Sequence, residues 1–409
     1  MTQTNPSEYA DENQLPFADR LLKQKGSPKS ALSRRFRPVD QIVSSFLFIC
    51  ATISILTTIG FVIVLGSEAL KFFATTEYLN INKQLTVLID EDDTILSVAT
   101  TGSALNVGDL MRIGVAEDSE VVEILAVIDD ETVEVQRAVR ETEASTHPVR
   151  SPLFIGAEVT LTKYFTETRW APQVGNFGVL PLLSSTLRVA LIAMIVSLPL
   201  GLGSAIYLSE YASPRTRGML KPILEILAGV PTVVYGYFAL TFVTPLLRVI
   251  FGANVVEVFN VFSAGIVVGV LIIPTISSMS EDALHAVPQA LRDASYGMGA
   301  TKLETVYNVL LPASLSGISA AVILGISRAV GETMIVLIAA GAGPLWTFNN
   351  FKASETMAGH IARISTGDIS YGSIDYNSVF AIGLTLFVMT LALNFISTLV
   401  TRQFREVYS

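Results

Sequence analysis

The chain has 409 residues, of which 51% are hydrophobic and 15% are charged, and its mean hydropathy is +0.54. A surface this apolar is not soluble, so the composition excludes an ordinary globular protein and indicates that most of the chain faces lipid. The net charge of the chain is −9. Residues 74–170 hold 18 acidic and 7 basic side chains and so carry −11, which leaves +2 on the remainder of the chain. The single cysteine, Cys50, excludes a disulfide framework within the chain.

Residues 1–40 are polar, rich in Pro, Ser, Lys and Arg, and without periodicity, which predicts a disordered tail. The first apolar run begins after Asp40 and is longer than the core of a signal peptide, so we expect no cleaved leader. Six apolar runs are long enough to cross a bilayer. They cover residues 42–66, 183–208, 221–247, 261–279, 315–341 and 377–400.

Basic residues set the predicted orientation. Seven of them lie between positions 20 and 37, just before the first run, which places the N-terminus in the cytoplasm. Six crossings return the C-terminus, with Arg402 and Arg405, to the same side. The basic connection 215–221 falls on that side as well, so we predict a multi-pass membrane protein with both termini cytoplasmic.

A different pattern follows the first run. Residues 132–136 and 157–162 alternate apolar and polar side chains, which is typical of strands. Acidic clusters at 90–93 and at 129–130 separate apolar runs, as hairpin turns do. We therefore predict a small β domain over about residues 82–165, built as a compact barrel or a sandwich, with the acidic side chains solvating its outer face.

No motif for hydrolysis is present. The chain contains no Gly-Lys dipeptide and hence no phosphate-binding P-loop, so we expect it neither to hydrolyse ATP nor to act as an enzyme. The three histidines, His147, His285 and His360, share no ligand spacing, and we expect neither a metal nor another cofactor.

The connection between the fourth and fifth runs, residues 280–314, is too polar for a span and too patterned for a plain loop. It contains Asp293, Ala294 and Ser295, a glycine at Gly299, and a closing Val-Leu-Leu-Pro that ends at Leu311 and Pro312. This pattern resembles the "EAA" loop of ABC importer permeases, with Asp in place of the leading Glu and Ser in place of the second Ala. The resemblance implies short cytoplasmic helices that dock into the ATPase subunit, with Gly299 permitting a turn between them.

Three further segments, residues 177–183, 198–211 and 227–236, resemble the phosphate-uptake permeases. Residues 325–334, Gly-Ile-Ser-Arg-Ala-Val-Gly-Glu-Thr-Met, are similar to the PstC-type subunit in particular. The likeness covers residues 176–405 strongly and the first run weakly. It does not cover residues 82–165, because permeases of this family usually have a much shorter segment there.

Arg328 and Glu332 lie within the fifth run, where a charged residue costs about 2.5–3.5 kcal/mol on insertion scales. Helical i, i+4 spacing would place them on one face, so they could form a self-neutralising pair that only fixes packing. The alternative is a substrate pathway in which the planar guanidinium of Arg328 binds a partly dehydrated oxyanion while Glu332 limits the affinity. We predict that Arg188, Glu225 and Arg248 lie at the membrane faces.

The expected fold class is an all-α integral membrane protein with six transmembrane helices, the ABC importer permease fold, plus an inserted small all-β extracytoplasmic domain. The predicted divisions are a cytoplasmic tail (1–40), a first transmembrane helix (41–73), an extracytoplasmic insert (74–175), a permease core (176–405) and a short cytoplasmic tail (406–409).

The resemblance implies a permease of the bacterial plasma (inner) membrane that forms half of the pore of a phosphate-importing ABC transporter. Its partners would be a second permease of the PstA type, a cytoplasmic ATPase dimer, an extracytoplasmic phosphate-binding protein and membrane lipid, with no nucleic acid. Two alternatives stay open. One is a permease for another small oxyanion, sulfate or molybdate, and the other is a membrane scaffold that presents the β domain and transports nothing.

Overall fold

A computed structural model describes residues 38–74, 76–99, 105, 107–115, 119–129, 131–140, 142–172, 175–367 and 373–403. Residues 1–37 of the predicted N-terminal tail and the whole predicted C-terminal tail (406–409) therefore lie outside the described residues. Residue contacts divide the chain into two units, 1–62 and 63–409.

The first helix, α1 (Pro38–Ala74), carries the first apolar run. Its 37 residues extend over about 55 Å, which exceeds the roughly 30 Å of a hydrocarbon core. In the part of α1 that belongs to the first unit, large apolar side chains such as Phe48, Leu56 and Phe61 are more than half exposed. This exposure suits a helix whose surroundings are lipid.

Six antiparallel strands follow α1 and form one sheet in the order β1-β6-β3-β4-β5-β2. The two edge strands also meet, because Thr86 N donates to Ser97 O at 3.0 Å and Ala99 N donates to Gln84 O at 3.0 Å. The sheet therefore closes into a barrel, which is one of the two predicted architectures. The strands are β1 (Thr76–Gln84), β2 (Ile95–Ser97), β3 (Leu110–Ile113), β4 (Glu120–Asp129), β5 (Thr132–Gln136) and β6 (Pro152–Glu158).

The barrel interior confirms the strand prediction for β5, where Val133 and Val135 are buried and Glu134 is exposed. The strand predicted over 157–162 is wrong in its second half, since β6 ends at Glu158 and a helix begins at Leu161. The reason is Thr160, whose hydroxyl accepts a hydrogen bond from Lys163 N and so caps a helix.

Both acidic clusters belong to turns. Asp93 N donates to Asp90 O at 3.2 Å, and Asp90 N donates to Asp93 Oδ2 at 2.8 Å. Between β4 and β5, Asp129 Oδ1 accepts from Glu131 N at 2.8 Å. Asp130 lies outside the described residues. The predicted turns are therefore confirmed, and they arise because Asp side chains bond to the backbone two or three residues away.

A buried carboxylate holds the barrel to the segment that follows β5. Glu120 is 0% exposed, and its two oxygens accept hydrogen bonds at 2.6 Å from Nε and Nη2 of Arg137. Ala138 N, Ser145 N and the His147 ring also contact it. Burial raises the pKa of the Glu120 carboxyl, but the bonds from Arg137 and the two backbone N–H groups outweigh burial, so the pKa is lowered.

An aromatic cluster joins the barrel to the helical bundle. The connecting segment contains α2 (Leu161–Thr166), β7 (Trp170–Ala171) and β8 (Asn176–Phe177). Tyr164, Trp170 and Phe177 pack around Phe72 at the end of α1, with ring centroids 5.6–6.4 Å from that of Phe72. Edge-to-face packing of this kind stabilises beyond simple area burial.

The remaining helices form the bundle. Three π-helical turns interrupt or extend them, at Tyr207–Tyr211, Ala239–Val243 and Val306–Leu310. The helices are α3 (Leu180–Ile206), α4 (Pro214–Ala228), α5 (Thr232–Phe238), α6 (Thr244–Phe251), α7 (Val261–His285), α8 (Gln289–Gly297), α9 (Lys302–Thr305), α10 (Leu311–Gly331), α11 (Met334–Ala339), α12 (Met357–Ser365) and α13 (Ile374–Gln403).

Within the described residues, six helical runs are long and apolar enough to cross a membrane. This number and the barrel confirm the predicted fold class. The runs are Ile42–Phe73, Leu180–Tyr211, Thr232–Phe251, Val261–His285, Lys302–Gly331 and Ile374–Ile396.

Two predicted spans have different bounds in the structure. The span predicted over 221–247 begins at Thr232, because Pro231 interrupts the backbone and α4 is a separate helix without a buried residue. The span predicted over 315–341 ends at Gly331, because Glu332 has an extended backbone with ψ 131°. The helices α3 and α7 continue through Pro199 and Pro274.

The helices α3 and α7 pack closely against each other through glycines. A Cβ on Gly265 would lie 2.7 Å from Ile192, and a Cβ on Gly269 would lie 2.8 Å from the carbonyl oxygen of Ala193. Toward the other end, a Cβ on Gly201 of α3 would lie 2.9 Å from Ile276. Small residues at these positions let the two backbones approach, as in membrane helix pairs generally.

We predict that Gly269→Ala lowers the stability of the chain by about 1–3 kcal/mol, because the added methyl group meets a backbone carbonyl that cannot move aside. Gly203→Ala on α3 is the matched control, since no atom lies within 4 Å of the position that its added methyl group would take. Thermal unfolding of both variants in detergent measures the difference. Equal melting temperatures for the two variants would contradict the close contact.

A second prediction concerns acid stability of the barrel. A carboxyl whose pKa is lowered on folding contributes stability above its unfolded pKa, near 4.5, and loses that contribution as pH falls through the folded value. Glu120→Gln should therefore cost about 2–3 kcal/mol at pH 7, and the difference from the unchanged chain should shrink below pH 4.5. Thermal unfolding across pH measures it.

Glu134→Gln serves as the control for this experiment, because Glu134 is exposed on β5. A cost for Glu120→Gln that stays constant down to pH 3 would show that packing, and not the charge of Glu120, stabilises the barrel.

Candidate functional site

Arg328 lies on α10, three residues before the end of that helix, and it is half-buried. Its Nη1 donates a hydrogen bond to Thr275 Oγ1 at 3.0 Å, across to α7. Thr275 is 14 residues beyond the start of α7, which corresponds to about 21 Å along the helix. The guanidinium therefore lies level with the middle of α7, next to a hydroxyl that the sequence reasoning missed.

Glu332 does not share a helical face with Arg328. The helix α10 ends at Gly331, and the extended backbone of Glu332 turns its carboxylate toward α11, where Oε1 accepts from Ile335 N at 3.3 Å. No ion pair within 4.0 Å joins either side chain to another residue that the structure describes. The prediction that Arg328 and Glu332 share one helical face is therefore wrong, because the helix ends between the two residues.

This arrangement leaves Arg328 charged and without a carboxylate in contact. A cation inside an apolar bundle is costly, so its presence there indicates a pathway or an internal partner of a different kind. A guanidinium beside a hydroxyl supplies several N–H and O–H donors in a confined space. Those donors suit the oxygens of a small tetrahedral anion.

The predicted coupling motif forms two short helices at the other end of the bundle. Here α8 and α9 are joined at Gly299, which has a φ of +85°. No neighbouring atom lies within 4 Å of a Cβ at this position, so the backbone angle alone requires glycine. Thr301 and Glu304 then form a capping box that starts α9.

The structure places the six predicted coupling residues in different environments. Ser295 is buried, and its hydroxyl bonds to Thr305 at 2.9 Å across the turn. Asp293 and Ala294 are exposed, and Asp293 accepts from Gln289 at 3.1 Å. Leu311 is half-buried at the start of α10, and Pro312 is exposed in its first turn. Gly299 is exposed between the helices.

Two buried ion pairs hold this loop to the bundle, and the sequence reasoning missed both. Arg292 donates to Glu210 at 3.1 Å and to the carbonyl oxygens of Leu284 and Val287 at 2.8 and 2.7 Å. Glu281, 1% exposed, pairs with Arg217 at 2.6 Å and with Lys221 at 3.1 Å. The motif is therefore presented on a fixed base.

An apolar surface lies around this turn. Met298, Leu303 and Tyr307 have exposed fractions of 83%, 65% and 71%. We call these three residues, together with Asp293 and Ala294, the loop surface. Exposed apolar side chains grouped with polar ones are typical of a protein interface.

A third polar network lies at the opposite end of the bundle, just before and within α12. Glu355, 2% exposed, accepts from Arg363 Nε at 2.6 Å and contacts His360 Nδ1 at 3.1 Å. Trp170 Nε1 donates to His360 Nε2 at 3.0 Å, which leaves the ring proton on Nδ1 facing the carboxylate. Burial raises the pKa of Glu355, but its bonds from His360 and Arg363 outweigh burial and lower it.

Comparison with known proteins identifies the family of this chain. Residues 197–406 match the family described as "Binding-protein-dependent transport system inner membrane component". The chain belongs to this family. It is therefore an ABC importer permease, a transport protein of the membrane and not a catalytic subunit, and the resemblance to PstC-type permeases is confirmed.

Similar proteins include the probable ABC transporter permease YqgH of Bacillus subtilis, 32% identical over 58% of this chain and 76% of that protein. The phosphate transport permease PstC of Mesorhizobium japonicum is 29% identical over 58% of this permease and 79% of its own length. Among solved structures, an inward-facing MetNI methionine ABC transporter matches 56% of this permease and 95% of that chain, at 22% identity and a TM-score of 0.42.

We predict that Gly299→Val loosens the loop of this permease. A β-branched residue at φ +85° costs at least about 1–2 kcal/mol, so α9 should separate from α8 and expose the bond after Lys302 to trypsin. Gly297→Val is the matched control, because Gly297 also has no neighbour within 4 Å and lies at the end of α8 without a positive φ. Equal cleavage rates would show that Gly299 is not the pivot.

Proposed function

We propose that this permease forms half of the translocation pore of an ATP-driven phosphate importer. The observation that carries the proposal is Arg328, a half-buried guanidinium deep in the bundle that contacts a hydroxyl and no carboxylate. An oxyanion that enters the bundle would supply the missing negative charge. The named PstC relatives support phosphate as that anion.

The proposed orientation places both termini and the loop 280–314 in the cytoplasm and the barrel outside. The basic residues before α1 and in the segment 215–221 support it. We likewise propose the division into tail (1–40), first transmembrane helix (41–73), insert (74–175), permease core (176–405) and C-terminal tail (406–409).

The proposed partners follow from this arrangement. The loop surface would dock on one subunit of a cytoplasmic ATPase dimer, which hydrolyses the ATP. The coupling motif around this surface consists of Asp293, Ala294, Ser295, Gly299, Leu311 and Pro312. A second permease of the PstA type would complete the pore, and an extracytoplasmic phosphate-binding protein would deliver the anion. The exposed apolar side chains of the loop and its buried ion pairs support a docking role.

The proposed mechanism is alternating access. Docked ATPase subunits move the loop, and the loop is rigidly tied to α7 by the Arg292 contacts with Leu284 and Val287, near the end of that helix. Movement of α7 would shift Thr275 relative to Arg328 and so change the anion's contacts. Glu332, at the break after α10, would place a negative charge close enough to keep the anion from binding too tightly.

The double variant Arg328→Gln/Glu332→Gln tests this function. Arg328→Ala should reduce uptake of labelled phosphate at least tenfold, and Arg328→Lys should restore little, because an ammonium lacks the planar fork. If Arg328 serves the anion, the double variant should reach normal membrane abundance without uptake. Arg248→Gln, a half-buried arginine on α6, is the control.

Normal uptake by the double variant would reduce the two residues to packing elements. Parallel assays with labelled sulfate and molybdate identify the substrate, since preference for either would overturn phosphate and retain the permease. Failure of an ATPase subunit to copurify, with no uptake of any anion, would instead favour a scaffold.

A further inference from the structure

We propose that Arg188 forms a second oxyanion-binding position, at the outer mouth of the pore, where the anion binds before it reaches Arg328. This inference rests on the proposed function for the direction of transport and for the class of anion. It does not depend on the role of Arg328, because a different set of contacts carries it.

The register between α3 and α7 sets the depth of Arg188. Ile192 faces Gly265 and Val196 faces Gly269, so residues of α3 lie level with residues of α7 that are 73 positions later. Arg188 is therefore level with Val261, the first residue of α7. Thr275 and its partner Arg328 lie about 21 Å further along the bundle, so the two guanidinium groups occupy successive levels.

The contacts of Arg188 leave its charge unneutralised. Nη1 donates to Asn349 O and to Asn350 Oδ1, both at 3.3 Å, and Nη2 donates to Ser185 Oγ at 3.1 Å. All three acceptors are neutral, and the bonds are long for a guanidinium. Nη2 carries a second N–H that donates to none of the described residues. Nε also has no acceptor among them, but protein atoms enclose it, as they enclose Nε of Arg248, so a ligand would bond to Nη2.

Polar groups surround the guanidinium on two sides. Ser185 on α3 and Ser354 in the loop after α11 share a hydrogen bond behind it. In the same loop, Asn350 offers the amide of its side chain, whose oxygen already accepts from Arg188. An oxyanion bound to the second N–H of Nη2 and to this amide would satisfy donors that are otherwise open.

The nearby carboxylates do not cancel this charge. Glu355 follows Ser354, but its oxygens bond to Arg363, His360 and Gly343 N. Glu257 contacts the same loop through Ala353 N at 2.8 Å. Neither lies within 4.0 Å of the Arg188 guanidinium nitrogens.

The position of Arg188 below the protein surface favours a small anion over a protein as its partner. Arg188 is only half exposed, and the loop residues 349–354 cover it. A small anion can reach recessed N–H groups that the flat surface of a docked protein cannot. Arg248 also has an enclosed Nε without an acceptor among the described residues, but it lies in the last turn of α6, and its Nη2 bonds at 3.4 Å to Ala253 O just beyond the helix, as a cation that caps a helix does.

The experiment uses the assembled transporter in proteoliposomes, with saturating labelled phosphate and increasing concentrations of the binding protein. Arg188→Gln should lower the maximal uptake rate about tenfold. The concentration of binding protein that gives half of the maximal rate should stay the same. Arg188→Lys should recover most of the loss, because at the mouth the charge itself attracts the anion. Arg248→Gln, the matched arginine control, should behave like the unchanged permease.

Three outcomes would overturn the proposal. A higher half-saturating concentration of binding protein with an unchanged maximal rate would make Arg188 a docking residue. Equal losses of rate and melting temperature in Arg188→Gln and Arg188→Lys would make it an anchor for the loop. Unchanged uptake in Arg188→Gln would remove it from the pathway.

The two proposals fail in distinguishable ways. Absence of phosphate uptake by the unchanged transporter overturns the proposed substrate, and the same variants are then assayed with the anion that is carried. Normal phosphate uptake by both the unchanged transporter and Arg188→Gln overturns the mouth position alone.

Discussion

The close approach of α3 and α7 is the contact that sets the rest of the permease. Gly201, Gly265 and Gly269 remove the side chains that would hold the two backbones apart, so each helix presents branched residues to a glycine of the other. Lipid does not drive helices together, so such complementary surfaces must supply the attraction by van der Waals packing. The depth of every polar group on the two helices follows from this one register.

Charged residues in this chain fall into two groups. Glu120, Glu281 and Glu355 are buried and Glu210 is half-buried, and each has a basic partner. The pairs of Glu210 and Glu281 connect segments that are far apart in sequence. Breaking such a pair strands a charge in a low-dielectric interior, so these pairs make the barrel, the loop and the bundle rigid. Arg328 and Arg188 contact no acidic side chain among the described residues. Rigid surroundings and open cations together are what transient binding of an anion requires.

Hydropathy predicts the six spans because length and apolarity suffice to identify a crossing. Period-two patterning predicts the barrel at β5, and the EAA-like spacing predicts the two short helices around Gly299.

The break at Glu332 was missed because it lies in a run of helix-compatible residues without proline. The pairs Glu210–Arg292 and Glu281–Arg217 were missed because no local pattern connects residues so distant. The separation of α4 from the next span was missed because the sequence analysis placed Pro231 inside a span and not at its boundary.

The closure of the barrel affects how it can be attached and how it can be recognised. Its first strand, β1, pairs with its last, β6, so the chain enters and leaves the domain at neighbouring points. A module with adjacent ends can be accommodated between two membrane segments without changing the distance between them. Closure also pairs the end of β1 with β2, which shortens the free strand edge that would act as a template for aggregation or strand addition. A molecule that recognises the closed part of this module must therefore read its side chains.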